Sequence, residues 1–318
     1  MTETGSAGTR ADTGIIDAHC HIASLDIIPP SFLRGILANM ELAMAARGVR
    51  AGRAKLEQLI TSRFQDLWCD ELVSEMDAAG IAQSVLLAAD FTYALKDSHF
   101  TIEQILEHHQ AVCLRHPGRF YVFSGVDPRW GADGIDLFER SIREFGFHGF
   151  KIYPPCGFQP SDPILFPYYE ICAQWNIPVL LHIGGTCPEL AFDTAAPVLL
   201  DPAARAFPNV NFILAHGSVS YVEECAMMCS FRPNVYIDIS GFQSADLELL
   251  DQLFRRGFRH KVLFGTDWPF FRLQGSQREC LAKLNADGGP LDQLHPHEAR
   301  GFFGETIGRL LRLRASAS

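Results

Sequence analysis

Residues 179–185 read Val179-Leu180-Leu181-His182-Ile183-Gly184-Gly185: three successive apolar residues, then a histidine, then a glycine pair. The pattern returns at 212–216, where Phe-Ile-Leu-Ala ends in His216, and at 262–267, where Val-Leu-Phe-Gly-Thr ends in Asp267. Apolar residues without alternation fit strands buried on both faces, as in parallel sheets with helices packed outside. A polar side chain closing such a run must find a partner, because burying it alone costs free energy.

Working outward, eight runs of this kind can be counted: Ile15–His21, Ser84–Asp90, Phe120–Asp127, Gly149–Tyr153, Val179–Ile183, Asn211–His216, Val235–Ser240 and Val262–Asp267. Helical segments separate or follow them: Leu67–Ala79, Thr101–His116, Gly134–Phe145, Leu165–Trp175, Ala195–Phe207, Tyr221–Phe231, Ala245–Arg256 and Pro296–Arg312. Pro117-Gly118, Pro208-Asn209 and Pro233-Asn234 punctuate the chain just before strands. Strands alternating with helices make an α/β fold. Eight units close a (β/α)8 TIM barrel, and a doubly wound sheet is the competing arrangement. The polar residues favour the barrel, because barrel chemistry projects from the C-terminal ends of several strands. His21, His182, His216 and Asp267 all stand at or beside strand ends, and Lys151 is late in its strand.

The 318 residues suit a single barrel domain over 15–318. Residues 1–14, rich in Gly, Thr, Ser and Ala and lacking an apolar signal core, read as a disordered tail. The connection 22–65 is a helical insertion after the first strand. Phe32, Ile36, Met40 and Met44 are four apart, as are Leu33 and Leu37, which makes a helical stripe. Packing on the barrel rim or on a second subunit is its simpler reading, but its place over the catalytic face makes it a candidate lid.

A formal charge of −10, from 27 basic and 37 acidic residues, argues against a nucleic-acid partner. No apolar run approaches a membrane span. The nine cysteines show no CxxC pair or secreted disulfide framework, so a cytoplasmic location is expected. Cys225 and Cys229 have helical spacing. The expected partner is a small molecule, which an acidic chain can still bind as an anion in a local basic pocket; a homodimer is compatible.

In Ile16-Asp-Ala-His-Cys-His-Ile22, strand alternation sends His19 and His21 to one face and Cys20 to the other. Two imidazoles on one face can share a metal. His182, His216 and Asp267 supply further donors, and imidazole with carboxylate suits zinc. The set lacks the cysteine-rich closed arrangement of a structural site, so it reads as a catalytic centre.

These motifs, from the first-strand HCH to Thr266-Asp267-Trp268-Pro269, resemble the amidohydrolase superfamily. Within it they are similar to the amidohydrolase-related family that includes aminocarboxymuconate-semialdehyde decarboxylase and various hydrolases. The resemblance implies that His19, His21, His182 and Asp267 ligate one divalent ion, zinc first, with manganese or cobalt as alternatives. It also implies that His216 contacts water or substrate. In two-metal members a carbamylated lysine on the fourth strand bridges the ions. Lys151 in Gly149-Phe-Lys-Ile-Tyr-Pro-Pro155 can take that role, bind a substrate anion, or merely snorkel. Arg129 and Arg272 are further candidates for a substrate carboxylate, each with an ordinary loop role as the alternative. The Gly184-Gly185 pair can admit substrate to the backbone or simply turn.

The expected activity is hydrolysis of a small amide, cyclic amide, lactone or related bond through a metal-activated water. In it Asp267 takes and returns a proton and His216 stabilises the oxyanion. Non-oxidative decarboxylation of a small carboxylic acid is the alternative on the same residues. A non-catalytic metal- or ligand-binding barrel is the third reading.

Overall fold

The structure is a computed structural model that describes residues 14–50, 52–217, 219–244 and 247–312. Of the tail expected over 1–14, only Gly14 falls within the described residues. Eight parallel strands follow one another around the sheet in chain order: β1 (Ile15–Cys20), β2 (Ile81–Leu87), β3 (Phe120–Gly125), β4 (Gly149–Ile152), β5 (Val179–Leu181), β6 (Phe212–Leu214), β7 (Val235–Asp238) and β8 (Val262–Leu263). The first and last strands meet through a parallel bridge between Cys20 and Trp268. Ala18 N also bonds Phe264 O at 2.9 Å, and Asp267 N bonds His19 O at 2.8 Å. The sheet therefore closes on itself as the expected barrel.

A buried network locks this seam. The Asp17 carboxylate accepts from Thr266 N at 3.0 Å, Thr266 Oγ1 at 2.6 Å and Gln277 Nε2 at 3.0 Å. Inside the barrel, Ile16, Ala18, Val85, Leu87, Phe123, Leu180, Ile213, Ala215 and Leu263 form one core, with Ile307 and Leu310 joining it from the last helix. Strict alternation from Ile16 and Ala18 would turn His19 outward. The register of β1 against β2 shifts between Asp17 and Cys20. Such an irregularity re-aims a side chain. His19 thereby joins His21 on the inner side, while Cys20 stays outside near Gln277.

The helices are α1 (Pro30–Ala46), α2 (Arg53–Thr61), α3 (Asp70–Ala79), α4 (Ile102–Arg115), α5 (Ala132–Arg143), α6 (Phe166–Trp175), α7 (Asp201–Ala206), α8 (Val222–Phe231), α9 (Leu247–Phe254), α10 (Gln277–Leu284), α11 (Pro296–Arg300) and α12 (Thr306–Leu310). Two expectations about them need correction. The helix expected over Ala195–Phe207 is broken into 3-10 turns at Phe192–Ala195 and Pro197–Leu200 before α7, because Pro197 cannot donate to a helical ladder. The helix expected over Pro296–Arg312 is interrupted by a π-turn at Gly301–Glu305, whose Phe302 carbonyl accepts from Phe264 N at 3.0 Å.

The insertion after β1 is helical, as expected, and lies over the strand C-termini. Leu33 and Leu37 are buried in the core, whereas Phe32, Ile36 and Met40 line a cavity above the strand ends. The stripe therefore covers the cavity as well as the rim. Asp97 holds the start of α1 through Ser31 N at 2.9 Å and Ser31 Oγ at 2.6 Å, and Asn39 Nδ2 donates to Thr186 O at 2.9 Å. Gly35 allows the close approach between α1 and the loop beyond β5, since a Cβ there would stand 2.5 Å from Cys187 Cβ. Among the described residues no helix is long and apolar enough to cross a membrane, and all nine cysteines are free.

Candidate active site

His19 and His21, at the end of β1, meet Asp267 just past β8. Asp267 Oδ1 lies 3.4 Å from His19 Nε2 and 3.3 Å from His21 Nε2. Each ring is fixed from behind. His19 Nδ1 donates to Asp238 Oδ2 at 2.9 Å, and His21 Nδ1 donates to the Leu87 carbonyl at 2.8 Å. A donating Nδ1 leaves the lone pair on Nε2, so both lone pairs point toward the same carboxylate. His19 Nε2 is buried without a hydrogen-bond partner. A buried unsatisfied nitrogen of this kind needs a ligand, and a divalent cation fits the two imidazoles and carboxylate gathered here.

Asp238 closes β7 and was missed in the sequence reading. Its signal was present in Asn234-Val-Tyr-Ile-Asp-Ile-Ser240, another polar residue ending an apolar run. Ser240 Oγ donates to Asp238 and accepts from His216 Nδ1 at 2.9 Å. His19, His216 and Asp238 thus form a second cluster beside the first. His182 stands next to His216, with ring centroids 4.9 Å apart, and stacks on Tyr153 at 4.2 Å. Its Nε2 donates to the Gly185 carbonyl at 3.0 Å rather than converging on Asp267. The expected four donors thus divide into three gathered residues and one adjacent ring.

His216 and Asp267 both have left-handed backbone, with φ of 60° and 55°. Such conformations cost about 1–3 kcal/mol outside glycine and persist where surrounding bonds impose them. Here His216 N donates to Asp238 Oδ1 at 3.1 Å and Asp267 N donates to His19 O at 2.8 Å. The two side chains are thereby turned from the strand ends into the cavity.

Electrostatics follow from burial. It pushes the imidazoles of His19 and His182 down, and that of His216 down to about 4. For Asp267, burial works upward, but the neighbouring imidazoles of His19, His216 and His21 outweigh it and leave the carboxyl below its ordinary value. Lys151, on β4, is 2% exposed, and its Nζ has no hydrogen-bond partner among the described residues. Burial pushes its ammonium down to about 8, against the pull of Asp238 and Asp267.

The cavity has a volume of about 500 Å³, and His21, Lys151, His182, His216 and Asp267 line it. Arg129 and Arg272 do not. Arg129 makes a two-pronged bond to Asp127, with Nε at 2.8 Å and Nη2 at 2.6 Å, and lies over the Tyr93 ring. Arg272 grips Glu75 at 2.9 Å and also Glu71, both on α3. These two arginines hold loops in place and contribute nothing to the cavity wall.

An eight-stranded barrel with imidazoles and a carboxylate gathered at its strand ends defines the class of barrel hydrolases and lyases that work with a divalent ion. The family model described as amidohydrolase matches residues 16–313, and the chain belongs to that family of enzymes. It is 25% identical over 159 residues to 2-keto-4-carboxy-3-hexenedioate hydratase of Sphingobium sp., covering 41% of this chain and 46% of that protein. It is 25% identical over 204 residues to 2-amino-3-carboxymuconate-6-semialdehyde decarboxylase of Dictyostelium discoideum, covering 53% and 56%. These alignments span about half the length of the curated relatives. Among solved structures, 5-carboxyvanillate decarboxylase of Novosphingobium aromaticivorans, with bound manganese and 3-methoxy-4-hydroxy-5-nitrobenzoic acid, has the same fold. Its TM-score is 0.66 at 16% identity, covering 97% of this chain and 99% of that one.

Proposed function

We propose that this chain is a metal-dependent lyase that removes the carboxyl group of a small carboxylic acid without oxidation. The observation that carries this reading is the cavity itself, in which apolar walls enclose a floor of imidazoles, one carboxylate and one unpaired ammonium. Apolar surroundings strip water from a carboxylate and favour a transition state in which its charge spreads into the body of the molecule. Hydrolysis, the first expectation from sequence, would use the same floor. The decarboxylases among the relatives and neighbours support the same choice.

His19, His21 and Asp267 are the residues to hold the ion, with His182 joining once its ring releases Gly185. When bound, the ion supplies Lewis acidity that orients and polarises the substrate's oxygens. Zinc suits the donor set, and the manganese of the 5-carboxyvanillate decarboxylase structure makes that metal the other candidate.

The protein's own groups then divide the work. Asp238 and the Leu87 carbonyl fix the rings of His19 and His21. As the bond to the carboxyl carbon breaks, its electron pair remains on the carbon of the body, carbon dioxide departs, and that carbon takes one proton. Asp267 is the proton carrier: it rests ionised, takes one proton from solvent before the bond breaks and gives it to the carbon, so that the carboxylate and one proton become carbon dioxide and the protonated body. His216, neutral and anchored on Ser240, orients the reacting oxygens. A panel of small carboxylic acids, amides and lactones followed by mass spectrometry tests this reading. Loss of carbon dioxide is expected, and gain of water with no such loss overturns it.

A further inference from the structure

The balance of charge in the cavity defines a substrate class. Above the floor, α1 and the loops contribute Phe32, Ile36, Met40, Phe91, Phe270 and Phe271. Among the described residues that line the cavity, Lys151 is the only lysine or arginine. The nearest arginines, Arg129 and Arg272, are already paired with Asp127 and with Glu71 and Glu75. Asp238 and Asp267 are the carboxylates that act on the buried ammonium of Lys151, which has no hydrogen-bond partner among the described residues. A divalent ion held by His19, His21 and Asp267 would offset those two negative charges and leave the charge of Lys151 for the substrate.

We propose that the substrate is a monoanion with an uncharged apolar body, its one negative charge balanced by Lys151 at the floor and its body lying against Phe32, Ile36 and Met40 of α1. This rests on the decarboxylase reading for the reaction but not for the binding. A second carboxylate on the far side of the body would be driven against phenylalanine and isoleucine side chains, away from the floor and with no second lysine or arginine among the described lining residues to meet it, which is strongly unfavourable. The cavity thus differs from what the names of the curated relatives call for. Hexenedioate with a further carboxyl group, for example, carries several charges. A volume of about 500 Å³ lies within the usual range for small-molecule sites and leaves room for a ring with apolar substituents.

The test uses three matched probes: a ring-hydroxylated isopropylbenzoate, its primary amide, and the same ring bearing a second carboxylate. Binding to the full chain is measured by calorimetry with added zinc or manganese, and turnover is followed in parallel by release of carbon dioxide. The monoacid is expected to bind at least about 100-fold more tightly than the diacid, the order that an unpaired buried charge imposes. Lys151→Met should weaken the monoacid at least about 10-fold and leave the amide unchanged, with thermal unfolding confirming that the variant is folded. Met40→Arg, which sets a cation on the apolar wall, should improve binding of the diacid.

A diacid that binds as well as the monoacid overturns the proposal, as does a folded Lys151→Met variant that keeps full affinity for the monoacid. Failure of every probe to bind overturns it too. The expected binding pattern without release of carbon dioxide overturns the decarboxylase reading alone and supports the substrate class.

Discussion

Asp238 Oδ2 on β7 and His19 Nδ1 on β1 are 2.9 Å apart, both side chains wholly buried, and this bond decides which nitrogen of His19 carries its lone pair into the site. Burial raises the Asp238 carboxyl, but His19 and Ser240 reverse the shift, so the group stays ionised and keeps its hold on the ring. Asp238→Asn can present an amide hydrogen to Nδ1 and force the opposite tautomer. Metal affinity or activity is expected to fall about 10–100-fold, the usual range for a partner behind a ligand. Metal titration of the chelator-treated variant checks this; an affinity equal to wild type removes Asp238 from the role.

The donor set predicts about one divalent ion per chain. Elemental analysis of protein purified without chelator measures it, and absence of metal with no gain of activity from zinc, manganese or cobalt would sink the site. His21→Ala should lower occupancy, because His21 Nε2 faces Asp267. His216→Ala should leave occupancy largely intact, since His216 lies outside the cluster of His19, His21 and Asp267. Equal loss in both variants would place His216 among the ligands.

All eight strands were legible because each is an apolar run bounded by turn residues, and the parallel ladder needs little else. The positions of His21, His216, Asp267 and Lys151 followed from strand ends. What sequence could not convey was direction and pairing. The irregularity that swings His19 inward leaves no mark in Asp17-Ala-His-Cys20. Arg129 stands in loop sequence that suits a substrate contact equally well, until Asp127 two residues earlier is seen to hold it. Asp238 carries the same mark as His182 and Asp267, a polar residue closing an apolar run. The stripe of α1 was visible, but only the fold shows that Phe32 and Ile36 line a cavity.

Arg129→Ala should therefore lower stability with little effect on catalysis. The change strips the buried Asp127 carboxylate of two hydrogen bonds, for an expected loss of about 1–3 kcal/mol. Urea unfolding measures the loss, and kcat/KM at saturating metal should stay within about threefold of wild type. A selective rise in KM would restore Arg129 as a substrate contact.

His109, which also lines the cavity, provides a pH test on a residue outside the proposed ligand set. Its ring is buried on α4, Nδ1 donates to the Ile105 carbonyl at 2.7 Å, and burial pushes its pKa from 6.5 down to about 3. Between those values the unfolded chain binds a proton that the folded chain refuses. The contribution to stability is therefore complete above pH 6.5 and shrinks as pH falls toward 3. At pH 5 the loss is about 2 kcal/mol. Urea midpoints at pH 7 and pH 5 should separate more for the wild type than for His109→Leu, and equal separations would contradict the assignment.

Asp267→Asn should abolish turnover while weakening substrate binding far less. Asp267 stands past the end of β8 with its backbone held in the left-handed region, and its Oδ1 lies between His19 and His21. Asparagine keeps an oxygen in that place but as a neutral amide cannot accept and return a proton. General acid–base assistance contributes about 10²–10⁴-fold, so a fall in kcat of at least that order is expected. Some further loss will come from weaker metal binding, which must be separated from the chemistry. Metal content measured on the same sample, with rates compared at saturating metal, makes that separation. Substrate affinity, measured by calorimetry, should change by much less than kcat, because the monoanion is held by Lys151 and the apolar wall. A metal-replete variant with near wild-type turnover would show that the proton travels by another group, and His216, already turned into the cavity beside Asp267, would then be the carrier.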